Sequence, residues 1–131
     1  MSRENVELVH KAFDAFNRRD VDGLLKHLDA GIEWIPFRSA LEGTTYRGHE
    51  GVRQNLVETF EDWECVRMDP YEVREVGDQL VVLGRIAAKV KDGPSAEVRV
   101  AWLVRLRGDK AIRFEVCLDQ QQALEAVGLR E

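Results

Sequence analysis

The stretches LVVLGRIAAKV (80–90), AEVRVAWLVRL (96–106) and IRFEVCL (112–118) decide the fold, because apolar residues occupy alternate positions in each of them. Alternation over this length is typical of β-strands that bury one face. The even-numbered residues form that face: Leu80, Val82, Gly84, Ile86, Ala88, Val90, Ala96, Val98, Val100, Trp102, Val104, Leu106, Ile112, Phe114, Val116 and Leu118. None of these side chains can exchange a proton, so a site built on this face can bind a ligand but needs any acid or base from elsewhere.

A fourth strand is predicted just before these three, from Cys65 to Val76. Its alternation slips at Pro70, which is the pattern that a β-bulge produces. Short glycine-containing turns then join the four strands into an antiparallel meander: Gly77-Asp78, Asp92-Gly93 and Gly108-Asp109.

The first third of the chain is predicted to hold two helices and a strand. Residues 3–18 place Val6, Val9, Phe13 and Phe16 at helical spacing. Asp20 is expected to cap a short second helix. That helix carries Leu24, Leu25 and Leu28, and Gly31 releases the chain into a strand, Ile32–Phe37, in which Pro36 marks an edge or an exit.

Two more helices are predicted further along the chain. Residues 38–48 are interpreted as a loop, after which Val52, Leu56, Phe60 and Trp63 mark a third helix. A final helix is predicted over Gln120–Val127. Asp119 and Gln122 form a capping-box-like start, and Gly128 ends the helix.

This order of elements predicts an α+β fold in one domain, residues 1–131. A curved, mainly antiparallel sheet wraps around the N-terminal helices and forms a cone whose mouth lies near the loops.

Composition narrows the range of partners. The formal net charge is -5, with both signs mixed along the sequence, which argues against nucleic acid or a membrane as partner. We expect a cytoplasmic protein without a cofactor or a metal. Cys65 and Cys117 lack metal-ligand spacing and are interpreted as buried thiols.

Several segments, in the right order, carry a resemblance to a known family. They are FDAFNRRDVDGLLKHL (13–28), IEW (32–34), YRGHEGVRQNL (46–56), VVLGR (81–85), AWLVRL (101–106) and IRFEVCLDQQQALEAVGL (112–129). Together they resemble the SnoaL-like branch of the nuclear-transport-factor-two-like superfamily. The resemblance implies the cone fold and a dimer, and it leaves function open because this fold hosts cyclases, isomerases, epoxide hydrolases and domains without activity.

The catalytic side chains of those relatives are replaced here. The acid and base positions of ketosteroid isomerases correspond to about Ala12, Trp34 and Trp102. The aspartate of polyketide cyclases and limonene epoxide hydrolases corresponds to about Val116, and the further hydrolase residues fall near Gln79–Val82. The resemblance therefore implies the fold without the catalytic set.

An apolar ligand site is the main functional hypothesis. Aromatic side chains can form the walls of a pocket for a flat, hydrophobic molecule. The predicted ligand-binding residues are Phe13, Phe16, Trp34, Tyr46, Trp102, Phe114, Val116 and Leu118. The alternative is that these side chains simply fill the cone as a core.

Four polar residues are the candidates for catalysis, and each has another explanation. Asp119 is a helix cap, Glu33 faces solvent on a strand, His49 starts the third helix, and Tyr46 lies in the loop near the mouth. The remaining histidines, His10 and His27, are predicted to be exposed.

The other face of the sheet predicts a contact between two copies of the chain. Its apolar centre consists of Val81, Leu83, Ala87, Ala101 and Leu103. A charged rim surrounds that centre: Arg85, Lys89, Glu97, Arg99, Arg105, Arg107, Arg113 and Glu115. An apolar centre with a charged rim suits a two-fold homodimer, whereas the alternative is a solvated face with scattered apolar residues.

Three functional hypotheses follow. The first is a protein that binds a small hydrophobic molecule. The second is an isomerase- or cyclase-like enzyme whose acid or base has moved to a new position. The third is a dimerisation module with a filled cone.

Overall fold

The computed structural model describes residues 3–36 and 43–128 and is built on a curved, six-stranded sheet that does not close. The strands are β1 (Leu28–Ile35), β2 (Tyr46–Arg47), β3 (Trp63–Val76), β4 (Gln79–Val90), β5 (Ser95–Arg107) and β6 (Lys110–Cys117), in the spatial order β2-β1-β6-β5-β4-β3. The predicted α+β class is confirmed.

The last four strands form the predicted antiparallel meander. Gly77 and Gly108 have positive φ angles of 62° and 65° in the turns that precede β4 and β6, a conformation that glycine adopts without steric cost. β1 joins the sheet differently, because it runs parallel to β6 and places Trp34 opposite Phe114.

Four helices are described: α1 (Arg3–Asn17), α2 (Val21–Leu25), α3 (Gly48–Asp62) and α4 (Gln120–Ala126). The first three pack on the concave face of the sheet, where their apolar residues join nine of the even-numbered residues in one core. Val90, Val98 and Leu118 are exposed, so the prediction that the even-numbered face is buried fails at these positions. α4 covers part of the opposite face. None of the helices in the described ranges is long and apolar enough to cross a membrane.

Two predicted helix ends are wrong, and strand pairing explains both. Leu28 begins β1 instead of continuing α2, because it pairs with Ala111, whose amide donates to the carbonyl of His27. Trp63 begins β3 instead of ending α3, because it pairs with Val90. Phe37, the predicted end of the first strand, lies outside the described residues.

The predicted bulge in β3 is confirmed, and β6 contains an irregularity that the alternation did not reveal. The register of β3 slips between Pro70 and Glu72. Beside β6, Leu106 pairs with Ala111 and leaves Ile112 out of the register. The placement of Ile112 on the inner face is therefore wrong: Ala111 is buried in the core at this end of the strand.

Gly84 allows β4 to pass very close to the β3 bulge. A Cβ atom at this position would lie 2.3 Å from the carbonyl oxygen of Asp69 and 2.8 Å from the ring of Trp102. No side chain fits there without a shift of the backbone.

Three of the five residues in the apolar centre predicted for a dimer contact are covered within the chain itself. Val81, Leu83 and Ala101 are buried beneath Ala123 and Leu124 of α4, because the end of the chain folds back over the sheet. The predicted cap is confirmed in the same region, where the Asp119 carboxylate accepts a hydrogen bond from the amide of Gln122 at 3.1 Å.

Gln120 anchors α4 to the sheet. Its side-chain amide donates to the hydroxyl of Tyr71 at 2.8 Å and to the carbonyl of Val100 at 2.9 Å. Arg99 donates to its amide oxygen at 3.1 Å. The hydrogen bond between Gln120 and Tyr71 lowers the pKa of the Tyr71 phenol, and the nearby Arg99 lowers it further. The first turn of α4 is thus tied to the residue that bulges out of β3.

Candidate ligand-binding cavity

A cavity of about 380 Å³ lies between α1, α3 and the concave face of the sheet. Its lining is almost entirely carbon, and we call this part of the molecule the open region. The residues that line it are Phe16, Trp34, Pro36, Asn55, Thr59, Trp63, Val66, Met68, Ile86, Ala88, Ala96, Val98, Phe114 and Val116. The volume and the apolar lining are typical of sites for small molecules.

Small side chains on the β4–β5 hairpin leave room for the cavity. Ala88 and Ala96 face each other across the two strands, and Val98 follows at the next inward position. Ala96 and Val98 are exposed, so the cavity reaches the surface at this hairpin.

One buried polar pair interrupts the carbon lining. Asn55 on α3 is 5% exposed, and its Oδ1 atom accepts a hydrogen bond from the indole nitrogen of Trp34 at 2.9 Å. Among the described residues, Asn55 is the one polar side chain that is fully buried. Trp34 in turn stacks on Phe114, with ring centroids 4.3 Å apart and planes 13° from parallel. The Trp34 ring is therefore held by the hydrogen bond to Asn55 and by stacking on Phe114.

The other part of the concave face is filled, and we call it the packed region. Phe13 meets Trp102 edge to face at 4.8 Å and approaches Phe114 at 6.2 Å. Only about 20 Å³ remains beside Phe13. The indole nitrogen of Trp102 is buried and has no hydrogen-bond partner within residues 3–36 and 43–128.

The structure divides the predicted ligand-binding residues. Four of them line the cavity together: Phe16, Trp34, Phe114 and Val116. Phe13 and Trp102 lie in the packed region. Tyr46 lines a separate, open cleft on α3, and Leu118 follows the end of β6 and is 38% exposed.

The four candidates for catalysis lie away from the cavity. Glu33 is paired with Arg113 at 3.2 Å and with Arg47 at 3.6 Å. The Tyr46 hydroxyl donates to Glu58 at 3.5 Å, and His49 Nε2 lies 2.9 Å from the carbonyl oxygen of Leu28. Asp119, the fourth, is occupied as the cap of α4. None of the four is among the residues that line the cavity.

The histidines differ from each other. His10 is exposed, as predicted. His27 is half-buried beside the packed region, so its predicted exposure is wrong. Burial lowers the pKa of His27, and the nearby charges of Lys11 and Lys110 lower it further.

The two cysteines also differ. The prediction of a buried thiol is wrong for Cys65, which is exposed on β3. Cys117 is half-buried on the outer face, and burial with the nearby Glu115 raises its pKa to about 11. A thiol with that pKa is protonated at neutral pH and is a poor nucleophile.

The side chains that line the cavity limit the chemistry in which they can take part. No described lining residue carries an ionisable side chain, and within the described ranges no three histidine, cysteine or acidic residues are grouped for a metal ion. What the described lining offers is apolar surface, aromatic rings, the hydroxyl of Thr59 and the amide of Asn55.

Sequence reasoning missed Asn55 as a site residue, although a signal for it was present. Asn55 is three residues after Val52 and next to Leu56, so it falls within the apolar stripe of α3. A polar residue within such a stripe is buried and needs a hydrogen-bond partner. Trp63 was missed because it was assigned to the third helix, whereas it begins β3.

The chain belongs to the SnoaL-like domain family, whose sequence pattern matches residues 9–114. This match covers most of the chain and confirms the resemblance found in the sequence.

Solved structures agree with this assignment. An NTF2-like protein of unknown function from Burkholderia pseudomallei is 27% identical, with a TM-score of 0.80 over 98% of this chain and 99% of that one. TerC, co-crystallised with polyporic acid, is also 27% identical, with a TM-score of 0.79 over 95% and 97% of the two chains. A putative polyketide cyclase from Xanthomonas campestris shares the fold at 14% identity, with a TM-score of 0.77 over 96% and 98%. No curated protein matches the chain significantly.

Proposed function

We propose that this SnoaL-like protein binds a small, flat, mainly apolar molecule in the open region. The observation that carries the proposal is the cavity of about 380 Å³ whose lining is apolar apart from a few groups on α3 and Trp34. Transfer of an apolar ligand from water to such a surface is favourable in proportion to the area that it buries.

The likeness to TerC supports the proposal. TerC was co-crystallised with an organic molecule, polyporic acid, and it aligns with nearly the whole of this chain. An isomerase- or cyclase-like activity has less support, because proton transfer needs an acid or base within reach of the ligand. Glu33, Tyr46, His49 and Asp119 all lie outside the lining.

The experiment is a pair of substitutions on neighbouring residues of β4. Ala88 points into the cavity, whereas Ala87 lies on the opposite face of the same strand. Fluorene, a rigid hydrocarbon, serves as the probe, and its binding is followed by the emission of Trp34 and Trp63. We expect Ala88→Leu to weaken binding at least about tenfold because the added atoms occupy the ligand's space, and Ala87→Leu to leave it within about twofold.

Two outcomes contradict the proposal. The first is a parent protein that binds neither fluorene nor an uncharged steroid, which would favour a module with a filled cone. The second is an Ala88→Leu variant that binds as tightly as the parent, which would place the ligand elsewhere.

The proposal includes a homodimer in the cytoplasm, formed through the part of the outer face that α4 leaves uncovered. Leu103 is half-buried there, and Arg113 and Glu115 beside it carry opposite charges. Charges of both signs around an apolar residue suit a two-fold contact. Sedimentation of the parent and of Leu103→Glu tests it, and a parent that is monomeric at micromolar concentration contradicts it.

A further inference from the structure

The orientation of the Asn55 amide is fixed by its neighbour. An indole N–H can only donate a hydrogen bond, so the Asn55 atom that faces Trp34 must be the oxygen. The amide nitrogen, with its two protons, is then directed away from Trp34.

That amide nitrogen has no hydrogen-bond partner among the described residues. Within the described part of the chain, the bond to Trp34 is the one hydrogen bond that the Asn55 side chain makes. Asn55 lines the cavity and is 5% exposed. Because buried donors are nearly always paired, a donor left open in an apolar cavity indicates a bonding position for something that enters the cavity.

The surroundings limit what can accept this hydrogen bond. No described lining residue is charged, so a carboxylate ligand would lose its hydration without gaining a counter-ion. A neutral acceptor such as a ketone oxygen has a much lower desolvation cost. Most of the sheet side of the cavity is aliphatic, from residues such as Ile86, Val98 and Val116.

We propose that the ligand is an uncharged, largely apolar carbonyl compound whose oxygen accepts a hydrogen bond from Asn55 Nδ2 while its hydrocarbon body lies against the sheet. The proposal rests on the proposed function, since it specifies the ligand of the same cavity. Asn55 would act as the group that selects a carbonyl compound over a hydrocarbon of the same shape.

A matched pair of ligands isolates this hydrogen bond. Fluorene and 9-fluorenone have the same three-ring outline and differ in a CH₂ group against a carbonyl. Their affinities are measured by calorimetry for the parent, for Asn55→Leu and for Thr59→Val. Thr59 is the control because it lies one helical turn after Asn55, lines the same cavity and carries the other side-chain donor on this face of α3.

The ratio of the two affinities is the readout, because it cancels effects that act on both ligands. We expect the ratio of fluorenone to fluorene affinity to fall about five- to tenfold in Asn55→Leu and to stay unchanged in Thr59→Val. A ratio that does not change in Asn55→Leu overturns the proposal. A ratio that falls only in Thr59→Val also overturns it and assigns the donor to Thr59.

A second measurement needs no variant and so does not depend on the folding of Asn55→Leu. A hydrogen bond to the carbonyl oxygen lowers its stretching frequency, so fluorenone bound to the parent should absorb at lower frequency than fluorenone in hexane. A bound carbonyl that absorbs as it does in hexane overturns the proposal.

Failure of this proposal can be told apart from failure of the proposed function. If the parent binds fluorene but the carbonyl makes no difference, the cavity is a ligand site without a role for Asn55 as donor. If the parent binds neither compound, both proposals fail.

Discussion

Trp34 and Trp102 lie on the same concave face, yet their surroundings differ in packing and in hydrogen bonding. Trp102 is completely buried in the packed region, in edge-to-face contact with Phe13, and its indole nitrogen has no partner among the described residues. Trp34 borders the cavity, and its indole nitrogen donates to Asn55. The comparison teaches that an apolar row alone does not determine whether a cone is open or filled.

What determines it is the size of the side chains, both those in the row and those on the helices that face it. In the packed region, the large ring of Phe13 reaches from α1 to Trp102 and Phe114. In the open region, the hairpin presents Ala88 and Ala96, which are too short to meet α3. Both regions therefore follow from the same strand pattern and differ through a few residues.

The largest expected effect is a difference in stability between alanine variants at two phenylalanines of α1. Phe13→Ala should reduce the free energy of unfolding by about 3–5 kcal/mol, because it removes a ring from a filled core. Phe16→Ala should cost about 2 kcal/mol, since Phe16 already borders empty space and loses fewer contacts. Urea unfolding of the two variants checks this, and equal losses would contradict the division into packed and open regions.

A smaller effect is expected from alanine at two glycines of the β4–β5 region. In Gly84→Ala the new Cβ would clash with the carbonyl of Asp69 and the ring of Trp102, and we expect a loss of about 1–3 kcal/mol. Gly93→Ala is the control, because its nearest neighbour is the Val90 Cβ at 3.3 Å and the site lies at the exposed hairpin. The loss there should stay within about 1 kcal/mol. Thermal or urea unfolding would show the contrast, and a Gly84→Ala variant as stable as Gly93→Ala would refute the close approach.

The smallest effect concerns pH and His27, beside the packed region. Because its pKa is lowered in the folded chain, the unfolded chain takes up a proton first as the pH falls. Stability should therefore decrease as the pH falls below the ordinary histidine value of 6.5, and His27→Gln should lose part of this dependence. Urea midpoints between pH 8 and pH 5 measure it. Parallel curves for the parent and the variant would mean that His27 is not the group responsible.

The fold could be predicted because its signals are periodic and local. The alternation from Leu80 to Leu106 determined which face of two strands is buried, and glycine turns set the hairpins. The irregularity in β6 was not predictable, since nothing in the sequence shows that Ile112 leaves the register. The bounds of β1 and β3 were missed because pairing with distant strands, not local preference, decides them.

The candidate site could be predicted only in part. The apolar row identified Phe114 and Val116, and Trp34 was predicted as an aromatic residue of the first strand. The row contains no information on which of its members a helix side chain covers. Phe13 covers Trp102, and that depends on how α1 lies across the sheet. The packing of α4 on the outer face could not be predicted for the same reason. Nothing in the sequence around Leu124 indicates the strand against which it packs.

The parallel pairing of β1 with β6 affects the stage of folding at which the cavity forms. The meander forms between neighbours in sequence, whereas Glu33 and Arg113, which join β1 to β6, are separated by 80 positions. Contacts of such long range require a large loop to close and belong to the slow part of folding. Trp34 and Phe114 meet across this same junction. Both rings also line the cavity, so the proposed ligand would contact β1 and β6 together and by mass action would stabilise only the state in which these two strands are paired.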